Sequence, residues 1–237
     1  MTRNANARVA GFTYLAYIAL AFPSLLLSAR ATHGDGVAAK LASIAAHAGA
    51  MRVAIVLTLI TCFAAIVLAV TLYALTRDED RDLALVAFAC RVGEGFASAI
   101  VMRTMVEQLW LGTTGSVSLD AAATQALGTL LFTGTRAWNA SVAATFFAVG
   151  STLFCWLLLR GRIIPTALAW LGVVGSILLV VCLPLQLAGL LHSPITDVMW
   201  LPLAAFEIPL GVWWLIKGDT TRRVAAAAPI AITPKES

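Results

Sequence analysis

The sequence predicts an all-α fold: a polytopic membrane helix bundle of about six transmembrane helices with both termini cytoplasmic. Three observations carry that expectation. Hydrophobic residues make up 60% of the 237 positions and charged residues 12%, where a soluble domain carries about 25% charged residues. The mean hydropathy is +0.90. Apolar runs of about 20 residues, enough to cross a ~30 Å hydrocarbon core, recur along the chain. The lipid bilayer is therefore the expected partner. A formal charge of +4 reads as basic residues flanking spans, and no nucleic-acid role is expected from it.

The runs are Val9–Ser28, Val53–Leu75, Leu83–Val106, Ala137–Leu159, Pro165–Leu187 and Trp200–Ile216. They form one membrane domain over 9–217, preceded by a short cytoplasmic segment 1–8 and followed by a tail 218–237 expected to be disordered. The first run also has features of a secretory signal, with Arg3 and Arg8 before it and Ala29-Arg-Ala31 after it. Its apolar core is longer than the usual 7–15 residues, which favours a retained span.

Orientation follows from the basic residues. With the N-terminus inside, the cytoplasmic segments hold Arg3 and Arg8, Arg77 and Arg81, Arg160 and Arg162, then Lys217, Arg222 and Arg223. The outer segments hold Arg30, Lys40, Arg52, Arg103 and Arg136, and the last outer loop holds none. The positive-inside rule places both termini in the cytoplasm. The inner loops are short and the first two outer loops long, so folded extramembrane structure is expected outside. Within the second outer loop, Asp120 offers an N-cap to an apolar stretch through Phe132 that is too short to span. It reads as an interfacial or re-entrant helix, or as an early extension of span four.

The spans also carry charge where charge is expensive. Arg91 and Glu94 lie in span three, and a charge near the bilayer centre costs from ~3 to ~10 kcal/mol or more, so such residues face a protein interior and find a partner. Counted from Leu83, Arg91 is roughly 12 Å deep and Glu94 roughly 16 Å deep; counted from Lys217, Glu207 in span six is roughly 15 Å deep; counted from Val9, Tyr17 is roughly 12 Å deep. These side chains share one layer. Arg91 and Glu94 share a helix face at i, i+3, and Glu207 is expected to reach them if spans three and six pack together. One Arg against two Glu leaves a surplus negative charge if all are ionised, so a proton or a cation is expected to complete the centre. A packing lock, a proton or cation site, and a site for a polar or anionic headgroup all fit this pattern.

Around the centre, Gly93, Gly95, Ala97 and Ala99 permit close helix approach, while Pro202 and Pro209 bracket Glu207 and are expected to bend span six. Arg103 and Glu107 form an i, i+4 pair near the outer end of span three. Trp110, Trp138, Trp200, Trp213 and Trp214 are expected in the aromatic belts. Cys62, Cys90, Cys155 and Cys182 fall in apolar runs without CxxC spacing and read as small buried hydrophobes. His33, His47 and His192 fall in outer loops, near Asp35 and Asp197, as weak candidates for a metal. No span contains a histidine, which excludes haem held between two membrane histidines. No cofactor is expected, and HExxH, GxSxG and GxxxxGK[ST] are all absent.

Several segments resemble a bacterial family. They are Arg8-Val-Ala-Gly-Phe12, Cys90-Arg91-Val-Gly-Glu94-Gly95, Arg160-Gly-Arg-Ile-Ile-Pro165 followed by Leu171-Gly172, and Glu207 followed by Trp214-Leu-Ile-Lys217-Gly218. The family consists of six-span integral membrane proteins catalogued as a domain of unknown function. The resemblance implies that Arg91, Glu94 and Glu207 match residues recurring in it. It also implies a histidine opening span four, where this chain has Arg136 or Trp138.

The leading functional expectation is binding or transport of a small lipophilic or cationic ligand, or of protons, at Arg91, Glu94, Glu207 and Tyr17. The alternatives are an accessory protein whose buried ions only lock helices, and a lipid-acting enzyme that would draw on the outer histidines. No catalytic residue is assigned.

Overall fold

The computed structural model describes residues 2–115, 118–134, 136–191 and 195–218, with the backbone alone for 134 and 136–139. The described residues are almost entirely helical. In chain order the helices are α1 (Arg3–Ala31), α2 (Gly36–Ala46), α3 (Ala48–Thr76), α4 (Arg81–Trp110), α5 (Ala121–Thr129), α6 (Arg136–Arg160), α7 (Thr166–Leu187), α8 (Ile195–Val198) and α9 (Leu201–Lys217). Single π-helical turns continue α4 over Leu111–Gly115 and α5 over Leu130–Gly134. Six helical stretches are long and apolar enough to cross a membrane, so the chain is a multi-pass membrane protein. The helices overrun the apolar cores: α1 starts at Arg3 rather than Val9 and α3 at Ala48 rather than Val53. Helical hydrogen bonding continues into the polar flanks, which hydropathy alone does not register.

Local chemistry sets the ends. Thr2, Asp80 and Asp120 cap α1, α4 and α5 by accepting the backbone N–H of Ala5, Leu83 and Ala123 at 3.2, 3.1 and 2.7 Å. The end of α6 folds back with Ile163 N–H on Leu158 O and Arg162 N–H on Leu159 O, the Schellman pattern. It places Arg162 at φ 48°, a left-handed position more often given to glycine. Inside the spans, Thr13, Thr61, Thr71, Thr76 and Ser176 return their hydroxyls to carbonyls one turn back, satisfying donors where water is absent.

The long helices pack as a ring in chain order. α1 lies along α3, α3 along α4, α4 along α6, α6 along α7 and α7 along α9, and α9 returns to α1. The seam between α9 and α1 depends on two glycines. A Cβ at Gly11 would stand 2.7 Å from Gly211 O, and one at Gly211 would stand 2.8 Å from Leu15 Cγ. Gly95 serves the α3–α4 contact in the same way, against Cys62 O, whereas Gly93 faces Phe146 of α6. The small residues of span three thus serve two neighbours.

At the end of the bundle that carries both helical termini, connections are tied by ion pairs: Arg3 to Asp78 at 3.0 Å and Arg160 to Asp80 at 3.4 Å. At the opposite end α2 and α5 pack on one another and on the π-helical turns. The apolar stretch after Asp120 is therefore a short helix followed by a π-helical turn.

Several expectations need correction. Pro202 sits in the first turn of α9, where it starts the helix instead of bending it; only Pro209 is interior. Trp214 is fully buried against Tyr14, with ring centroids 6.3 Å apart, and is not a belt residue. Trp200 is exposed, as a belt residue should be, while its ring also meets Phe147. The expected tail beyond Gly218 and the side chain of Trp138 lie outside the described residues. The four cysteines are free, and Arg103 pairs with Glu107 at 2.9 Å.

The seam yields a test. Gly211→Leu forces α9 away from α1 and is expected to lower stability by about 1–3 kcal/mol. Gly49→Leu, at a position with open space around it, leaves stability nearly unchanged. Reversible unfolding in mixed detergent micelles measures both.

Candidate functional site

One face of α4 supplies the spine of the site. Arg91, Glu94, Ser98, Val101, Met105 and Gln108 follow alternating steps of three and four, which hold them in one stripe along the helix. That stripe looks into the ring. Arg91 is completely buried, and Glu94 is 3% exposed.

Arg91 is held by its surroundings. Nη1 lies 2.9 Å from Glu94 Oε2, with no N–H aligned on that oxygen, so the contact is an ion pair without a directed hydrogen bond. The guanidinium carbon stands 4.8 Å from the centre of the Phe147 ring, a cation–π contact strengthened by the absence of water. Gly150 makes room for the stem: a Cβ there would stand 3.1 Å from Arg91 Cγ and 3.2 Å from Cδ. On the other side, Phe147 meets Trp200, with ring centroids 6.2 Å apart. Arg91, Phe147 and Trp200 thus follow one another in contact, the two rings tilted by 34°.

Glu94 has its second oxygen fixed from α1. Tyr17 Oη donates to Glu94 Oε1 at 2.8 Å, and this bond crosses the interior between helices that are not neighbours in the ring. Tyr14, one turn earlier, is buried as well and its ring meets Trp214.

Glu207 reaches the layer without the packing of spans three and six on which its approach was conditional. Spans three and six occupy opposite positions in the ring, and α9 packs on α1 and α7. Glu207 reaches the layer because α4 and α9 both face the interior, not because they touch along their length. Arg91 pairs with Glu94 alone; among the described residues no ion pair within 4.0 Å joins it to Glu207. Glu207, 7% exposed, instead lines a cavity of about 350 Å³ together with Glu94 and Tyr17. Ala140, Ala143, Ala144 and Val101 give that cavity an apolar wall, and Phe147 and Trp200 an aromatic one.

A second cavity of about 270 Å³ adjoins the first. The two share Thr58, Ser98, Val101 and Ala140. Its remaining polar lining comes from Ser24, Ser28, Thr61, Thr104 and Gln108. Ser24 Oγ bridges to α3, 2.9 Å from Ala54 O and 2.8 Å from Thr58 Oγ1.

The four side chains expected at the centre therefore come together: Arg91, Glu94 and Tyr17 in direct contact, and Glu207 across a cavity from them. The histidines do not join them. His33 and His47 flank α2, His192 lies outside the described residues, and no cluster of three metal-ligating side chains occurs among the described residues. Sequence reasoning missed Trp200, Phe147, Gly150, Ser98 and Gln108. The three-four spacing of polar residues beyond Glu94 was the signal available for Ser98 and Gln108. Phe147 and Gly150 carry no such mark, because an apolar residue or a glycine is ordinary in any span.

Comparison with known proteins places this geometry in a family. The model of the family described as domain of unknown function DUF4386 matches residues 9–218, and the chain belongs to that family. No curated protein and no solved structure matches it.

Removing one member of the buried pair strands the other. Arg91→Met leaves Glu94 without its counter-charge and is expected to cost about 3–5 kcal/mol, whereas Tyr17→Phe, which removes one hydrogen bond to a carboxylate, costs about 1–3 kcal/mol. The unfolding measurement described above separates the two. Equal and negligible losses would show that the pair does not hold the interior together.

Proposed function

We propose that this DUF4386 family member binds a small lipophilic or cationic ligand, or protons, at the Arg91–Glu94–Glu207–Tyr17 centre and moves it across the membrane. The observation that carries this reading is the position of Glu207. It stands at a cavity wall facing Glu94 and Tyr17, not in a closed bridge with Arg91. A helix lock would use Arg91 to join both carboxylates; here Arg91 is matched to Glu94, and the second carboxylate is left to an occupant.

The roles follow from charge and contact. Arg91 neutralises Glu94, and Tyr17 orients it. Glu207 carries the exchangeable charge, taking up a proton or facing a cation. The apolar wall excludes water and strengthens electrostatic attraction, while Trp200 and Phe147 offer aromatic faces that attract organic cations. The volume of about 350 Å³ suits a small organic molecule.

Membrane orientation belongs to the same reading. Arg3, Arg77, Arg81, Arg160, Arg162 and Lys217 all fall at the end of the bundle that carries the termini, which supports a cytoplasmic assignment for that end. Resemblance to a bacterial family supports the inner membrane. A green fluorescent protein fused at the C-terminus is then expected to fluoresce, and an alkaline phosphatase fused there to be inactive.

Glu207→Gln tests the centre. The purified protein is titrated with tetraphenylphosphonium while tryptophan fluorescence is followed, and proteoliposomes containing a pH-sensitive dye report proton movement. The wild type is expected to respond in at least one assay. Glu207→Gln is expected to weaken that response by about tenfold or more, the scale of one lost charge contact, while keeping wild-type helicity and elution. A variant with the wild-type response, or a wild type with none, removes the proposal; a variant that only loses thermal stability supports a packing lock instead.

A further inference from the structure

The second cavity has a chemical bias that its volume does not convey. Almost every hydroxyl on its wall has already committed its hydrogen to a backbone carbonyl. Thr58 donates to Ala54 O at 2.9 Å, Thr61 to Leu57 O at 2.7 Å, Thr104 to Ile100 O at 3.3 Å and Ser28 to Leu25 O at 3.0 Å. Ser24 Oγ stands 2.9 Å from the same Ala54 O and 2.8 Å from Thr58 Oγ1, so the hydrogens of these two hydroxyls are used between themselves and that carbonyl. A hydroxyl has one hydrogen and two lone pairs, so these groups present lone pairs to the cavity.

Gln108 repeats the pattern at the far end. Its Nε2 donates to Leu131 O at 3.0 Å in the π-helical turn after α5. That bond orients the amide and leaves Oε1 buried with no partner. Gln108 is itself completely buried, and an unmatched buried acceptor costs about 1–3 kcal/mol. An acceptor left in that state, on the wall of a cavity, is matched when a donor or a cation occupies the space.

We propose that the second cavity is the access passage to the carboxylate centre and holds a site for a monovalent cation, coordinated by oxygen acceptors alone. The passage runs along the stripe of α4 from Gln108 through Ser98 to Glu94, a rise of roughly 21 Å at about 1.5 Å per residue. Ser98 lies on both cavities, together with Thr58, Val101 and Ala140. Hard oxygen ligands without thiolate or imidazole suit alkali and ammonium-type ions. A protonated water, an alkali ion and an ammonium ion share this chemistry, and the carboxylates at the inner end draw each of them inward. The Gln108 end of the passage lies toward the end of the bundle opposite the termini, beside the π-helical turn after α5.

This inference rests on the cationic form of the reading above, and the test separates the two. Thermal unfolding of the full-length protein in lipid nanodiscs is followed while N-methylglucamine chloride is replaced at constant ionic strength by sodium, potassium, ammonium or methylammonium chloride. A parallel arm lowers the pH in N-methylglucamine chloride alone. The expected result is a saturable rise in unfolding midpoint in one arm, which identifies the ion. Gln108→Glu is expected to lower the half-saturating concentration by about tenfold, and Gln108→Met to raise it by about tenfold. Opposite shifts at one position are not produced by a packing role. If Gln108→Met fails to fold, the shifts in Gln108→Glu and Ser98→Ala decide the matter. A response that disappears in Glu207→Gln yet ignores both positions 98 and 108 overturns the passage and leaves the centre standing. No response in any arm overturns the passage, and the tetraphenylphosphonium and proton assays then judge the centre alone.

Discussion

A guanidinium with no access to water is the constraint on which the interior depends. Arg91 does not shed its charge in the way a buried lysine or carboxylate does, so the protein must surround it. A carboxylate one turn away, an aromatic face from α6 and the space vacated at Gly150 all meet that need. The same arrangement fixes where α4 and α6 stand relative to each other, because moving either by one turn would separate Arg91 from Phe147. Tyr17 extends the constraint to α1. The charged layer is thus a register device for three helices before it is anything else.

The layer is asymmetric. Glu94 has both oxygens engaged, one by Arg91 and one by Tyr17. Glu207 has its carboxyl group on a cavity wall, among apolar and aromatic side chains where an ion is costly to leave unmatched. The ring architecture produces this difference. Six helices packed mainly against sequential neighbours leave an interior that side chains fill incompletely, and opposite positions such as those of α4 and α9 face each other across it.

Much of this was legible in the chain, and the limits were physical. The six spans follow from length and hydropathy, and the depth of Arg91, Glu94, Glu207 and Tyr17 follows from a fixed helical rise. Neither carries information about azimuth. Hence depth leaves open whether α9 packs beside α4, and it stands opposite; Trp214, expected at the membrane surface, fills the seam beside Gly11. Pro202 was read as a bend because composition does not tell a first turn from an interior. The hydroxyl passage was hidden for another reason. Serine and threonine are common in spans, where each can satisfy itself on its own helix, and only the three-dimensional arrangement shows that Ser24, Thr58, Thr61 and Thr104 turn toward one space.

The chain order of the ring bears on how the protein is made. Each helix packs on the one synthesised just before it, so the wall can assemble as spans leave the ribosome, and only the α9–α1 seam waits for the last one. Arg91 enters the bilayer with its counter-charge already on the same helix, three residues along, so α4 can partition as a nearly neutral segment. Glu207 comes with the final span. Until then the growing wall carries no surplus charge in its middle, and the helix that brings it also completes the enclosure around it.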